Sequence, residues 1–356
     1  MASLATTYRP TKFEDVVGQE RVKAILQNQI ETGEFKNAYL FTGGAGTGKT
    51  TTARIIANEI NNFEGSPIEI DGASNNGVEN VRNIIDDSKY KSLDSKYKIY
   101  IIDECHMLST GAWNAMLKVL EEPPKDTIFI LCTTDPQKIP ATILSRVQRF
   151  DFRRIATKQI VERLKWIISA EIDRILSEGG PDGSITYDEK ALEYIAKLAD
   201  GGMRDSITML DKVLGYSYDV TMESVIEALG APDYSKFVEL MKDILYSEHG
   251  KMLELIEEFH MSGKDLKLTM RNFCDFVLDT CKFIATKNLS ITAIPEMFEG
   301  EIKALVGEAD YDFFLFVLDA MCKMNSVIKW EPNPKPIIQS TLLLLTKEDD
   351  EYDRTE

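Results

Sequence analysis

Residues 43–50 read GGAGTGKT. This fits G-x-x-x-x-G-K-[ST], and the flanks fit as well: the apolar run NAYLFTG (37–43) precedes it and the helical pattern TTTARIIANEI follows. Such a loop lets backbone amides wrap phosphate groups, and the helix start adds a favourable dipole. Gly43, Gly44, Ala45, Gly46, Thr47 and Gly48 form the cradle, and Lys49 is placed to reach β- and γ-phosphates. Thr50 offers its hydroxyl to Mg2+, and Thr51 completes the nucleotide-binding set.

Outward from the loop, short apolar runs alternate with helical patterns. NAYLFTG (37–43), IEIDG (68–72), KIYIIDE (98–104), TIFILCTT (127–134) and VQRFDF (147–152) read as strands. Their near-continuous β-branched and aromatic content predicts strands buried on both faces, as in a parallel sheet. With helices between, this predicts a three-layer α/β domain over residues 1–155. KIYIIDE ends in Asp103 and Glu104. After a phosphate loop and an apolar strand, Asp103 suits Mg2+ held through water, and Glu104 suits orienting or deprotonating an attacking water. Cys105 reads as packing behind the strand, and His106 as incidental or as a bridge to a neighbour. Thr134 ends another strand, where a polar side chain can hydrogen-bond the γ-phosphate or the water.

From Ala156 the strand signals stop. TKQIVERLKWIISAEIDRILSEGG, TYDEKALEYIAKLADGG and MRDSITMLDKVLGYS predict a small helical bundle over 156–217. A second helical region follows over 218–347, its last helix opening after WEPNPKP, and EDDEYDRTE is an acidic tail over 348–356. Arg204, at a helix start, is poorly placed for its own helix dipole, which favours an outside anion as partner. In ILSRVQRFDF, Arg146 could be a surface charge, a partner for a local carboxylate, or a reagent for another molecule. Arg149 reads as a strand-edge charge.

The formal net charge is −17, with 44% hydrophobic and 28% charged residues. The surface as a whole therefore cannot bind a polyanion, and any nucleic-acid contact needs a local patch or a partner's charges. Five scattered cysteines contain no C-x-x-C pair, so neither a zinc site nor a disulfide framework is expected. No apolar run approaches a membrane span of roughly 18 residues, so no membrane partner is expected and the thiols suit the cytoplasm.

Taken in order, YRPTKFEDVVGQE, GGAGTGKTTTAR, DGASNNGVENVRNII, IYIIDECHMLSTGAWNAMLKVLEEPP, CTTDPQKIPATILSR and GGMRDSITMLDK resemble the bacterial clamp-loader motor subunits, the gamma/tau subunits of DNA polymerase III. That family is of AAA+ ATPases. The resemblance implies an AAA+ P-loop domain with a parallel sheet, a helical lid and an all-α collar. It implies ATP and Mg2+ as ligands, without zinc. It also implies assembly with other loader subunits into a five-membered spiral that opens a sliding clamp and grips primer–template DNA. By this resemblance Arg9, Pro10, Val17 and Gly18 line the adenine pocket, Thr134 is the first sensor and Arg204 the second. Arg146 matches the finger that enters the neighbouring subunit's site, a phosphate partner that explains it better than anything in its own chain.

Two helix starts are candidate DNA contacts: Ser74, Asn75 and Arg82 near the first, Ser109 and Thr110 at the second. Helix N-termini present free amides to phosphate. Ordinary capping by Ser109 and Asn76 accounts for the same residues equally well. In VENVRNIIDDSKYKSLDSKY, read as a helix, Tyr90, Leu93 and Tyr97 look exposed; in the family this region faces the clamp, and core packing is the competing account.

Departures from the family pattern are also visible. The interval that usually holds a four-cysteine zinc module is NEINNFEGSPIEI, SRC is SRV, and the family's long C-terminal extension is not expected here, so a compact variant of viral type is the expectation. Competing readings are a DExH helicase, a branch-migration motor of the same superfamily, and a non-catalytic scaffold subunit. A helicase needs a second RecA-like half, a branch-migration motor needs a C-terminal winged helix, and a scaffold would be expected to lose Lys49, Glu104 or Arg146.

Overall fold

The computed structural model describes residues 3–179 and 185–346. The acidic tail expected at 348–356 lies outside the described residues. Within them the chain forms two compact units, Met1–Ile185 with Ala199–Lys212, and Thr186–Leu198 with Val213–Glu356.

The first unit opens with α1 (Leu4–Thr7) and α2 (Glu20–Thr32). Then come β1 (Ala38–Thr42), α3 (Lys49–Ile60), β2 (Ile68–Asp71), α4 (Val78–Ser88) and β3 (Lys98–Asp103). These are followed by α5 (Thr110–Glu121), β4 (Thr127–Thr133), α6 (Ala141–Leu144), β5 (Gln148–Asp151) and α7 (Thr157–Ser177). All five strands pair in parallel, in the order β2-β3-β4-β1-β5. Side chains alternate across each strand, so β1 feeds two cores. Tyr39 and Phe41 pack with Ile56, Ile130 and Phe150 on one face. Leu40 packs with Trp113, Met116 and Leu131 on the other. This gives the three layers expected, with β1 and β4 buried along their whole length. Burial on both faces does not extend to the sheet edges: β2 is largely exposed, and β5 buries only Phe150. An edge strand has one neighbour and less helix cover, which residue type alone does not reveal.

The segment after α4 is shorter in helix than its sequence suggested, because the helix stops at Ser88. Beyond it, Tyr90 and Leu93 are exposed, at 73% and 99%. Tyr97 instead packs against the core and meets Phe35 edge-on, with centroids 5.0 Å apart. Its exposure is therefore corrected: it is half-buried, packed against the core where the chain enters β3.

The second unit contains β6 (Thr186–Tyr187) and α8 (Glu189–Leu198). The helix α9 (Met203–Tyr216) crosses the boundary between units, and β7 (Asp219–Val220) pairs with β6 in parallel. Two-residue strands are too short to show alternation, and both were missed in the sequence. The remainder is helical: α10 (Met222–Leu229), α11 (Tyr234–Leu245), α12 (His249–Met261), α13 (Leu266–Thr286), α14 (Glu299–Glu308), α15 (Tyr311–Ile328) and α16 (Lys335–Leu345). Tyr234, Phe237, Phe273 and Phe276 form an aromatic core there. The helix α16 carries a proline in its first turn, where the missing N–H costs nothing.

Phe41 is fully buried and touches Phe150 and Phe152, at 5.8 and 5.2 Å between centroids. Phe41→Ala is expected to lower unfolding free energy by about 3–5 kcal/mol, read from urea denaturation.

Candidate nucleotide-binding and hydrolysis site

The loop between β1 and α3 depends on close backbone approach. Gly43 has φ +145°, and a Cβ there would lie 2.4 Å from the Phe152 carbonyl oxygen. The Met203 N–H donates to the Gly46 carbonyl at 3.0 Å, and a Cβ on Gly46 would lie 3.1 Å from Gly202 Cα. The start of α9, and with it Arg204, is thereby fixed at the loop. Gln19, ahead of α2, ties the same region together: its side chain donates to the Arg153 carbonyl at 2.7 Å and accepts from the Arg153 N–H at 3.1 Å.

Lys49 is buried, and its ammonium donates to the Gly43 and Gly44 carbonyls at 2.9 and 2.7 Å. Burial pushes its pKa down, while Glu104 and Asp103 push it back up. Thr50 donates to Asp103 Oδ2 at 2.7 Å. Two oxygens from distant segments thus sit together, a hard-donor pair of the kind Mg2+ takes alongside substrate phosphates. Among the described residues, no group of three or more His, Cys, Asp or Glu could hold a metal by itself. The residues present fit ATP and Mg2+.

Glu104 adopts a left-handed backbone, φ 44° and ψ 42°. For a residue with a Cβ this costs about 1–2 kcal/mol, the kind of strain that clusters at functional sites. Its Oε2 accepts from the Thr134 hydroxyl at 2.9 Å, so Thr134 and Glu104 meet directly. His106, read in the sequence as incidental or bridging, has Nδ1 at 3.3 Å from that same oxygen.

These groups open on a cleft of about 240 Å³. Of the expected residues, Arg9, Pro10, Val17, residues 45–51, Asp103, Glu104 and Arg204 line it. Gly18, Gly43, Gly44 and Thr134 are not among its lining residues. The sequence reading missed Tyr8, Ile155, Arg163 and Ile207, which also line the cleft. Ile155, Arg163 and Ile207 come from segments more than a hundred residues from the loop and carry no local signal; Tyr8 is adjacent to the quoted Arg9. Arg9 is lowered in pKa by burial first and then by Arg54 and Arg204, so positive charge gathers at this wall.

Comparison with known proteins places the chain among replication subunits. The family profile described as DNA polymerase III, delta subunit, matches residues 64–156. The profile for the DNA polymerase III clamp loader subunit, ATPase lid domain, matches residues 159–219. DNA polymerase III subunit gamma of Buchnera aphidicola subsp. Acyrthosiphon pisum is 33% identical over 96% of this chain and 97% of its own length. The chain belongs to the DNA polymerase III gamma/tau family. The tau subunit of Bacillus subtilis is 37% identical over 94% of this chain, and that of Escherichia coli 35% identical over 73%. The chain spans 61% and 42% of those two relatives. A single-residue variant of Thermotoga maritima RuvB shares the fold, with TM-score 0.50 and 19% identity over 72% of this chain and 86% of that one. The fold is thus that of an AAA+ P-loop domain followed by helical regions. Among the described residues no helix is long and apolar enough to cross a membrane.

In this gamma/tau chain, Arg146 has partners of its own. Nε and Nη2 donate to Glu121 Oε1 at 3.0 and 2.5 Å, and Nη1 donates to the Thr142 carbonyl at 2.6 Å. Of the alternatives open for Arg146, the local carboxylate is present in its own chain: Glu121, at the end of α5, reaches it across the α5–α6 contact. Arg149 bonds Asp151 on edge strand β5, as a strand-edge charge would. The helix starts of α4 and α5 lie side by side, joined by the Ser109 N–H donating to the Asn76 carbonyl at 3.0 Å. Ser109 caps α5 through the Ala112 N–H, with Thr110 the first residue of that helix. Asn76 does not cap α4, whose N-cap is Gly77. Ser74 donates to Asp71 Oδ2 at 2.7 Å, Asn75 bonds the Asp71 carbonyl, and Arg82 is exposed on α4.

Tyr8 closes one wall by donating to Glu171 Oε1 at 2.7 Å. Burial, then this bond, raise its pKa from 10.0 to about 12. The folded state holds the phenol's proton more tightly, so its contribution is complete below pH ~10 and lost as pH rises towards about 12. The stability gap between the native chain and Tyr8→Phe is expected to be widest near pH ~8 and to shrink over that window. Urea midpoints measured across the range check this.

Proposed function

We propose that this chain is the ATP-hydrolysing subunit of a clamp loader, using ATP to open a sliding clamp and load it on primer–template DNA. The observation that carries the proposal is the convergence of Lys49, the Thr50–Asp103 pair and Glu104 on one cleft in a gamma/tau family member. We divide the chain into a nucleotide-binding domain (1–155), a lid (156–217) and a collar (218–347), a division supported by the lid profile over 159–219.

In this reading the loop amides and Lys49 bind the triphosphate, and Arg204 approaches it from α9. Arg9, Pro10, Val17 and Gly18 form the adenine side of the site. Thr50 and Asp103 would hold Mg2+, which when bound neutralises charge on the phosphates. Glu104 orients the attacking water and takes its proton. Thr134 links that carboxylate to the end of β4. Arg146 acts on the triphosphate of a neighbouring subunit in a ring of about five. In P-loop enzymes such a finger is worth about 10³–10⁵ in rate. Arg146 must then exchange Glu121 for phosphate. An exposed pair of this kind is worth only about 0–1 kcal/mol, and a triphosphate carries several negative charges.

DNA contact falls to the paired starts of α4 and α5, with Ser74, Asn75, Arg82, Ser109 and Thr110. Exposed amides and one arginine suit a chain of net charge −17. The exposed Tyr90 and Leu93 are assigned to the clamp.

ATP turnover by the chain with its co-purified partners is expected to rise when primed DNA and the cognate clamp are added together. Equal turnover in all conditions would overturn the loader reading. Arg146→Ala and Glu104→Gln subunits are each expected to lose about 10³-fold in turnover alone. Mixed, they should regain part of it, because intact fingers then meet intact sites. Absence of recovery on mixing, with assembly confirmed by native mass, contradicts a finger acting between subunits.

A further inference from the structure

His106 follows Glu104 on the short 3-10 turn Cys105–Met107. Its side chain is 11% exposed, and Nδ1 lies 3.3 Å from Glu104 Oε2. The same nitrogen lies 3.1 Å from the Thr133 hydroxyl, which accepts from the Asp135 N–H at 3.0 Å. Glu104 Oε2 is also held by the Thr134 hydroxyl at 2.9 Å and faced by the Thr134 amide at 3.4 Å. The other oxygen, Oε1, has no hydrogen-bond partner among the described residues.

An ionised carboxylate only accepts. Nδ1 hydrogen-bonds the Thr133 hydroxyl and lies within ion-pair distance of Glu104 Oε2. Oε2 is thus bonded by Thr134 at the end of β4 and approached by His106 on the turn that follows Glu104. The anchoring also helps hold the left-handed backbone at Glu104.

We propose that His106 is a positioning residue for Glu104: its Nδ1–H fixes Oε2, leaving Oε1 as the oxygen that receives the water's proton. The inference rests on the role proposed for Glu104. Orientation of a base relative to its proton affects the chemical step and leaves nucleotide affinity untouched.

The test uses the full chain with its co-purified partners, MgATP and primed DNA. His106→Leu removes the donor at similar bulk, and His106→Ala is a second donor-free variant should the first fail to fold. His106→Asn keeps an N–H donor on the same γ position as Nδ1. Donor-free variants are expected to lower kcat about ten-fold, with binding of a fluorescent ATP analogue unchanged within about two-fold. His106→Asn is expected to restore kcat to within about three-fold of the native chain. In a Glu104→Gln background, His106→Leu should cost nothing further. If His106→Asn falls as far as the donor-free variants, or if none of them falls, the positioning role is wrong. If Glu104→Gln itself turns over ATP at the native rate, the role of Glu104 fails and this inference with it. An inactive Glu104→Gln beside fully active donor-free variants removes only the inference about His106.

Discussion

The phosphate loop, residues 43–48, is held against two other backbones, and the rest of the first unit is arranged around that fact. The Phe152 carbonyl comes so near Gly43 that no side chain fits. The Met203 N–H bonds the Gly46 carbonyl, with Gly202 packed against it. The chain just beyond β5 and the start of α9 therefore both contact the loop. Glycine is required at Gly43 and Gly46 for two reasons: left-handed or extended positive φ, and direct contact between main chains. The same contacts bring Arg204 and Ile207 to a cleft whose floor is a segment more than 150 residues earlier.

Charge at the cleft is mixed, in a chain whose net charge is −17: Arg9, Lys49, Arg163 and Arg204 share the lining with Asp15, Asp103, Glu104 and Asp205. Burial makes the charges on Lys49 and Arg9 costly, as their lowered pKa values record. An anion returns that cost more fully in a recessed site than at an exposed surface. The two carboxylates have different partners: Asp103 faces the Thr50 hydroxyl, whereas Glu104 faces Thr134 and His106.

Much of the site was legible because its parts are contiguous or adjacent in type. A glycine loop with Lys49 and Thr50, and an apolar strand ending in Asp103 and Glu104, each carry their chemistry within eight residues. Other features were not legible. Tyr97 looks like Tyr90 in the sequence, but only Tyr97 turns back towards Phe35 as the chain enters β3. A carboxylate partner for Arg146 was one alternative among three, and the fold names it by delivering Glu121, 25 residues earlier, to its side. His106 gains meaning only from Thr133, which reaches it because β3 and β4 are neighbours in the sheet.

The sequence by itself determined the superfamily fold, the phosphate loop, the acidic pair and the kinship with gamma/tau subunits. All of these rest on short-range spacing and on apolar runs that survive in one dimension. Only the tertiary structure decided which strands are edges, which exposed-looking residues pack against the core, how α9 reaches the loop, and which carboxylate holds Arg146. Those outcomes depend on distances between segments far apart in the chain, and a distance of that kind is set by packing rather than by any local pattern.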